Sequence, residues 1–76
     1  MGTPSISSAD FIRVLTSLGF KEKRQTSSHK QFTHHSPPRL VTVQYPIKDV
    51  TPGNLSCMLR QAGLTKKEFL KLLGSI

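Results

Sequence analysis

The sequence predicts an α+β domain in which helices cover one face of a three-stranded antiparallel sheet. Apolar residues recur at helical spacing near both ends of the chain, whereas the middle, from Phe20 to Tyr45, has no helical period. The expected order is helix, three strands, helix and a short extra C-terminal helix. With 76 residues there is room for one domain, spanning 1–76, in which we expect residues 1–6 to be flexible.

The first helix is predicted by one apolar stripe and by the residues that flank it. The stripe has the spacing i, i+3, i+4 and i+7, and its members are Phe11, Val14, Leu15 and Leu18. Ser7 and Asp10 have the spacing of a capping box, in which each side chain bonds the other's backbone N–H. Gly19 follows as a left-handed stop, so the helix should end just before it.

The strands are predicted at residues 21–26, 31–33 and 40–43. Residues 40–43 are rich in β-branched side chains, and the turn-forming run at 36–38 separates them from the preceding strand. Residues 21–26 are almost wholly polar, so a strand there should have one solvated face. Alternation directs Phe32, Lys30 and His34 toward the helices and leaves His29, Gln31 and Thr33 on the open face.

Two further helices are predicted by the same local signals. Thr51 and Pro52 suit the start of the second helix, and Gly63 suits its end. Its apolar stripe consists of Leu55, Met58, Leu59 and Ala62. Thr65 and Glu68 form a capping box for the third helix. The stripe of that helix should extend to Gly74 through Leu72 and Leu73.

The charge balance points to an anionic partner. Eleven Lys and Arg against four Asp and Glu give a net charge of +7, which favours nucleic acid, an anionic membrane surface or an acidic protein. The lack of a basic amphipathic helix weakens the membrane alternative. The basic residues of the sheet region are Lys21, Lys23, Arg24, Lys30 and Arg39. A second basic cluster on the C-terminal helices consists of Arg60, Lys66, Lys67 and Lys71.

Composition also argues against several other classes of protein. No apolar run approaches the roughly 20 residues that cross a bilayer, and the start of the chain does not resemble a signal peptide. A single cysteine allows neither an internal disulfide nor a site with several thiolates. We therefore expect a cytoplasmic protein without a metal or cofactor. Cys57, beside the second helical stripe, is interpreted as a small packing residue.

His29 is the leading candidate for chemistry. It opens a strand among cations, and histidine can move a proton to or from a hydroxyl or a phosphate near neutral pH. His34 and His35 are adjacent on a strand and point to opposite faces, so they do not suit one metal ion. The remaining interpretation of His29 is an ordinary exposed histidine.

These residues resemble the HicA toxins of bacterial and archaeal toxin–antitoxin systems from about residue 8 to residue 73. The segments that carry the resemblance are Leu18-Gly19-Phe20, Arg24-Gln25, Ser28-His29, Arg39 with Val41-Thr42-Val43, Gly53-Asn54-Leu55 and Leu59-Arg60-Gln61-Ala62-Gly63-Leu64. The chain differs from the family pattern at Ser27, where the family has Gly, and at Gln44-Tyr45-Pro46, where the family often has Pro-x-His.

The resemblance implies a double-stranded-RNA-binding-domain-like fold, α-β-β-β-α, and an endoribonuclease that cleaves mRNA and arrests translation without a metal. It implies a HicB antitoxin as partner, which we expect to cover His29. The family's catalytic histidine corresponds to His29. The candidate RNA-binding residues around it are Lys23, Arg24, Gln25, Ser28, Lys30 and Arg39.

The sequence leaves two questions open. The group that shares proton transfer with His29 is water, Lys30 or Arg24. The function itself has two alternatives, which are a non-catalytic RNA-binding module of the same fold and an interaction protein whose charge serves an acidic partner. RNA that is bound but stays intact would identify the first of these, and a lack of RNA binding would identify the second.

Overall fold

The helices and strands follow one another in the predicted order. A computed structural model describes residues 6–26 and 28–76. The elements are α1 (Ser8–Ser17), β1 (Lys21–Thr26), β2 (His29–His35), β3 (Pro38–Gln44), α2 (Pro52–Ala62) and α3 (Lys66–Ser75). This order confirms the α+β class and is the one expected of a double-stranded-RNA-binding-domain-like fold. None of the described helices has the length and apolar character needed to cross a membrane.

The helix ends are fixed by the predicted caps. The Ser7 hydroxyl accepts a hydrogen bond from the Asp10 N–H, and the Asp10 carboxylate accepts one from the Ser7 N–H, both at 3.1 Å. Thr65 and Glu68 form the equivalent box at α3. At α2, Thr51 accepts from the Asn54 N–H. These side chains satisfy backbone donors that have no partner inside the helix.

The glycines end two helices but not the third. Gly19 and Gly63 have φ angles of +95° and +75°, the left-handed conformation that a side chain disfavours. The last helix is not the short one that was expected, because α3 continues past Gly74 to Ser75 and with ten residues is as long as α1. The single glycine in the last turn lacks the left-handed conformation that ended the other two helices.

The sheet is antiparallel with strand order β1-β2-β3. β2 is longer than predicted and extends from His29 to His35. β1 is exposed at all six residues instead of on one face only. Its register with β2 shifts between Glu22 and Arg24, which makes Lys23 the extra residue of a bulge. A strand without a buried face has little to fix its register, which explains the irregularity.

The core lies between the sheet and the helices. Phe32, Val41 and Val43 supply the sheet side, as alternation predicted for Phe32. Phe11 and Phe69 are fully buried and stack with ring centroids 5.0 Å apart, so α3 is docked on α1. Ile6 is also buried, at 3% exposure, although it belongs to the segment expected to be flexible. The rest of that segment, residues 1–5, lies outside the described residues.

The loop between β3 and α2 is held by the start of α1. The buried Ser8 hydroxyl accepts a hydrogen bond from the Ile47 N–H at 2.8 Å and donates one to the Ile47 carbonyl at 3.2 Å. The Val50 N–H donates to the Ile6 carbonyl at 2.8 Å. These bonds position Ile47 and Val50 beside α2, where they line the cavity described below.

Candidate active site on the open sheet face

The face of the sheet that points away from Phe32 is called here the open face. Residues paired across an antiparallel ladder share a face, so the register gives its members. They are Lys21, Arg24 and Thr26 from β1, His29, Gln31, Thr33 and His35 from β2, and Pro38, Leu40, Thr42 and Gln44 from β3. None of these residues is acidic. Apart from Pro38 and Leu40, the open face therefore consists of basic and polar groups, and His29, Gln31 and Thr33 lie on it as the sequence predicted.

His29 occupies the first position of β2, the central strand. It pairs with Thr26 on β1 and with Gln44 on β3. The residue is exposed, and within residues 6–26 and 28–76 no hydrogen bond engages its imidazole ring. Toward the described residues both ring nitrogens are therefore unoccupied, while the ladders on either side hold the backbone in place.

A cavity of about 220 Å³ lies between His29, α2 and the loop after β3. Its polar lining comes from His29, Thr42, Gln44, Asn54, Cys57 and Gln61. Its apolar lining comes from Ile47, Val50 and Met58. No lining residue other than the titratable His29 and Cys57 can carry a charge, so the cavity suits a neutral chemical group.

The position of α2 is what creates this cavity. The side-chain oxygen of Gln61 accepts a hydrogen bond from the Thr42 N–H at 3.1 Å, and β3 is an edge strand. α2 thus lies along the outer edge of β3 as well as on the core. Sequence reasoning missed Asn54, Cys57 and Gln61. Their spacing of i, i+3 and i+7 places them in one polar stripe beside the apolar stripe, and this was the available signal.

Cys57 is not the packing residue that was expected. Its thiol belongs to an exposed residue and lines the cavity. The apolar stripe of α2 stops short of it, because Met58 and Leu59 take the buried positions. Cys57 thus lies where a ligand of the cavity would touch it.

Arg24 is the predicted RNA-binding residue that the fold brings closest to His29 along the open face. It pairs with Gln31, which is two residues from His29 on the same face. Such diagonal neighbours have Cα atoms about 7–8 Å apart, within reach of a long side chain. Lys23 lies beside Arg24 in the bulge, and Ser28 directly precedes His29. Arg24 therefore shares the open face with His29, and Lys23 and Ser28 adjoin these two residues in sequence.

Lys30 and Gln25 project from the opposite side of the sheet. They pair with each other, and Lys30 also pairs with the buried Val43. The Lys30 ammonium lies 3.7 Å from a Glu22 carboxylate oxygen and 4.3 Å from the centre of the Tyr45 ring. It is thus engaged on the side away from His29, and the geometry does not favour it as the partner of His29 in proton transfer.

Arg39 also lies apart from His29. It pairs with His34, five residues along β2, or about 17 Å at the rise of a strand. Its guanidinium packs against Gly63, where an added Cβ would lie 2.5 Å from Arg39 Cζ. Contact with RNA through Arg39 or Lys30 stays a prediction, and such contact would lie outside the open face.

The other two histidines have separate surroundings. His34 has its ring centroid 4.9 Å from that of Phe20, and its Nδ1 lies 3.2 Å from the Pro37 carbonyl. His35 is exposed at the far end of the open face. In the described part of the chain, no three His, Cys, Asp or Glu residues are grouped in a way that could hold a metal ion.

A protein-family model for the HicA toxin of bacterial toxin–antitoxin systems matches residues 8–64. The chain belongs to the HicA toxin family. Membership identifies it as the toxin component of a toxin–antitoxin system, with an antitoxin as its partner. The match includes the whole sheet, His29 and α2. No curated protein gives a significant match.

The two departures noted in the resemblance, at Gln44-Tyr45-Pro46 and at Ser27, both lie close to His29, the first in the sheet and the second in sequence. Gln44, which begins the segment that stands in place of Pro-x-His, is the residue opposite His29. An amide thus occupies a position beside the imidazole. Ser27, in place of the glycine before Ser-His, lies outside the described residues.

Proposed function

We propose that this HicA toxin is an endoribonuclease that uses His29 to cleave mRNA and thereby arrests translation. The observation that carries the proposal is the position of His29, which is exposed at the edge of a cavity on a sheet face without acidic residues. Such a face attracts the phosphates of RNA and leaves an imidazole free to act on them.

The chemistry follows from the ribose 2′-hydroxyl. Neutral His29 takes the proton of this hydroxyl as general base, and the 2′-oxygen forms a bond to the adjacent phosphorus. The bond from phosphorus to the 5′-oxygen of the next nucleotide then breaks. The products are a 2′,3′-cyclic phosphate and a 5′-hydroxyl, and water delivers the proton that the leaving oxygen requires. DNA lacks the 2′-hydroxyl and is not cleaved by this route.

Arg24 serves as an electrostatic group in this mechanism. A guanidinium stays protonated in proteins, which makes it a poor proton donor but a good partner for a phosphate oxygen. From its diagonal position on the open face it stabilises the charge that develops on the phosphorane. Ser28 and Lys23, which adjoin His29 and Arg24 in sequence, are proposed to hold neighbouring phosphates.

The antitoxin is proposed to be of the HicB type and to block the open face. An acidic surface complements the basic residues there, and charge complementarity speeds the association of two proteins. Covering His29 excludes RNA, so release of the antitoxin activates the toxin. The proposed place of action is the cytoplasm, where mRNA is translated.

The test uses synthetic RNA, and a chelator is present throughout so that cleavage cannot depend on a metal ion. We expect the purified toxin to cut an RNA oligonucleotide and to leave a cyclic phosphate on the upstream product. A matched oligonucleotide with 2′-deoxyribose at the cleaved position should remain intact there. RNA that is bound but not cut would identify the non-catalytic RNA-binding module instead.

A further inference from the structure

We infer that the cavity beside His29 holds a single nucleobase next to the scissile phosphate, and that the Gln61 carboxamide reads the edge of that base. The inference rests on the proposed function and adds a specificity site to it. Nothing in the catalytic mechanism itself requires α2, yet α2 supplies the polar stripe of the cavity.

The size of the cavity fits one ring system. Its volume of about 220 Å³ is smaller than the roughly 300–1,000 Å³ of pockets for drug-sized ligands. A whole nucleotide would leave its sugar and phosphate outside. That division matches the surface, because Lys21 and Arg24 lie on the open face, whereas the cavity lining, apart from His29 and Cys57, consists of uncharged polar and apolar side chains.

The apolar lining provides a surface for a flat ring. Met58 is 6% exposed, and Ile47 and Val50 are partly buried beside it. Nucleobases dock their faces on apolar or aromatic side chains when they are splayed out of single-stranded RNA. Since Ser8 holds Ile47 through three hydrogen bonds, this wall is already formed without ligand.

Gln61 supplies directional recognition. Its side-chain oxygen is occupied by the Thr42 N–H, so the NH₂ group is turned away from the β3 backbone. A fixed NH₂ group donates to a ring nitrogen or carbonyl of a base and rejects an edge that carries a donor there. Asn54 and Gln44, both exposed on the cavity lining, add groups that can either donate or accept.

The site requires an unpaired base. His29 lines the cavity, so a base inside it belongs to a nucleotide adjacent to the phosphate that the 2′-oxygen attacks when His29 takes its proton. A base in a duplex has its reading edge occupied by its partner, and only a splayed-out base presents that edge to a protein. The toxin should therefore cut single-stranded segments with a preference at one position beside the cut.

The first experiment replaces the hydrogen-bond donor that Gln61 presents to the cavity with an acceptor. Gln61→Glu keeps an oxygen for the Thr42 N–H and replaces the donor NH₂ with an acceptor. Cleavage of an RNA library with randomised sequence, followed by sequencing of the product ends, gives the base preference beside the cut. We expect the ratio of cleavage beside the preferred base to cleavage beside the other bases to change by about tenfold. This factor corresponds to the free energy of one hydrogen bond. The control is Gln31→Glu, which adds the same charge on the open face outside the cavity.

Two results of this experiment would overturn the inference. One is an identical base preference in the wild type and in Gln61→Glu. The other is cleavage by the wild type without any preference beside the cut. A preference that changes in Gln61→Glu and stays the same in Gln31→Glu supports the base site.

A second experiment separates the cavity from catalysis. The four nucleoside 3′-monophosphates are titrated into the His29→Ala protein, and the side-chain NH₂ resonances of Gln61 and Asn54 are followed by NMR. Ribose 5-phosphate, which has no base, is the control. Shifts that depend on the base support the site even if the toxin cuts no RNA, in which case the proposed function alone has failed. Shifts equal to those of ribose 5-phosphate would overturn the site even if RNA is cut.

Discussion

His29 pairs with Gln44 across β2 and β3, so the imidazole and the carboxamide leave the sheet side by side on its open face. Because His29 lies in the central strand, its backbone is held by a ladder on each side. The proposed catalytic group therefore lies on a rigid element, and the loop after β3 and α2 complete its surroundings.

Arg24→Ala should weaken RNA binding and cleavage, because Arg24 is the guanidinium on the same face as His29. The loss should be similar for all sequences, since a phosphate contact carries no base information. The slope of log affinity against log salt should fall by about 0.7, the value for one phosphate contact on a single strand. The control is Arg13→Ala, which removes the same charge from an exposed position on α1. Equal salt slopes for the two variants would argue against the role of Arg24.

Alkylation of Cys57 should block the cavity. The thiol is exposed and lines the cavity together with His29, so an attached group occupies the space proposed for the base. We expect cleavage to fall by about 10- to 100-fold, the effect of a misplaced substrate. Since Cys57 is the single cysteine, a Cys57→Ser protein should be insensitive to the reagent. Full activity of the alkylated wild-type toxin would show that RNA does not use the cavity.

Phe69→Ala should strongly destabilise the fold, although Phe69 lies beyond the residues that match the family model. The ring is fully buried and stacks on Phe11 at 5.0 Å. Its loss should lower the free energy of unfolding by about 3–5 kcal/mol. Directly after the same helix, Ile76→Ala removes an exposed side chain and should change the free energy of unfolding by less than about 0.5 kcal/mol. Chemical denaturation would measure both, and similar losses would mean that α3 is not docked as described.

Glu68 should give the toxin a stability contribution that disappears in acid. The hydrogen bonds from the Thr65 backbone N–H and hydroxyl hold the pKa of this carboxyl below its ordinary value of 4.5. A carboxyl with a lowered pKa in the folded state stabilises the protein above its unfolded-state pKa, and the gain is lost as the pH falls through the folded value. Thermal unfolding of wild type and Glu68→Gln should therefore differ at neutral pH and converge in acid. A difference independent of pH would contradict this role.

Much of the fold could be predicted because its signals are local. The box of Ser7 with Asp10 and the left-handed stop at Gly63 act within one turn of helix, so sequence spacing is enough to find them. The face of His29 followed from alternation with the buried Phe32. The bulge at Lys23 could not be predicted, because β1 has no buried side chain to set its register.

The cavity beside His29 depends on contacts between distant parts of the chain, so it could not be predicted from the sequence. Gln61 and Thr42 are 19 residues apart, and nothing near either residue indicates that one will bond the other. For the same reason Lys30 looked like a neighbour of His29 in sequence, while the sheet places it on the opposite face beside Glu22. Polar residues at helical spacing reveal a shared face but not what that face will meet.

One comparison of rates decides whether His29 performs RNA cleavage. Wild type, His29→Ala and His35→Ala are purified in parallel and incubated with the same RNA oligonucleotide. His35 is an exposed histidine on the same strand and the same face, which makes it the matched control. We predict that His29→Ala loses about 10²–10⁴-fold in rate, the contribution of a positioned general base, and that His35→Ala cleaves at the wild-type rate. Cleavage by His29→Ala at the wild-type rate would contradict the account.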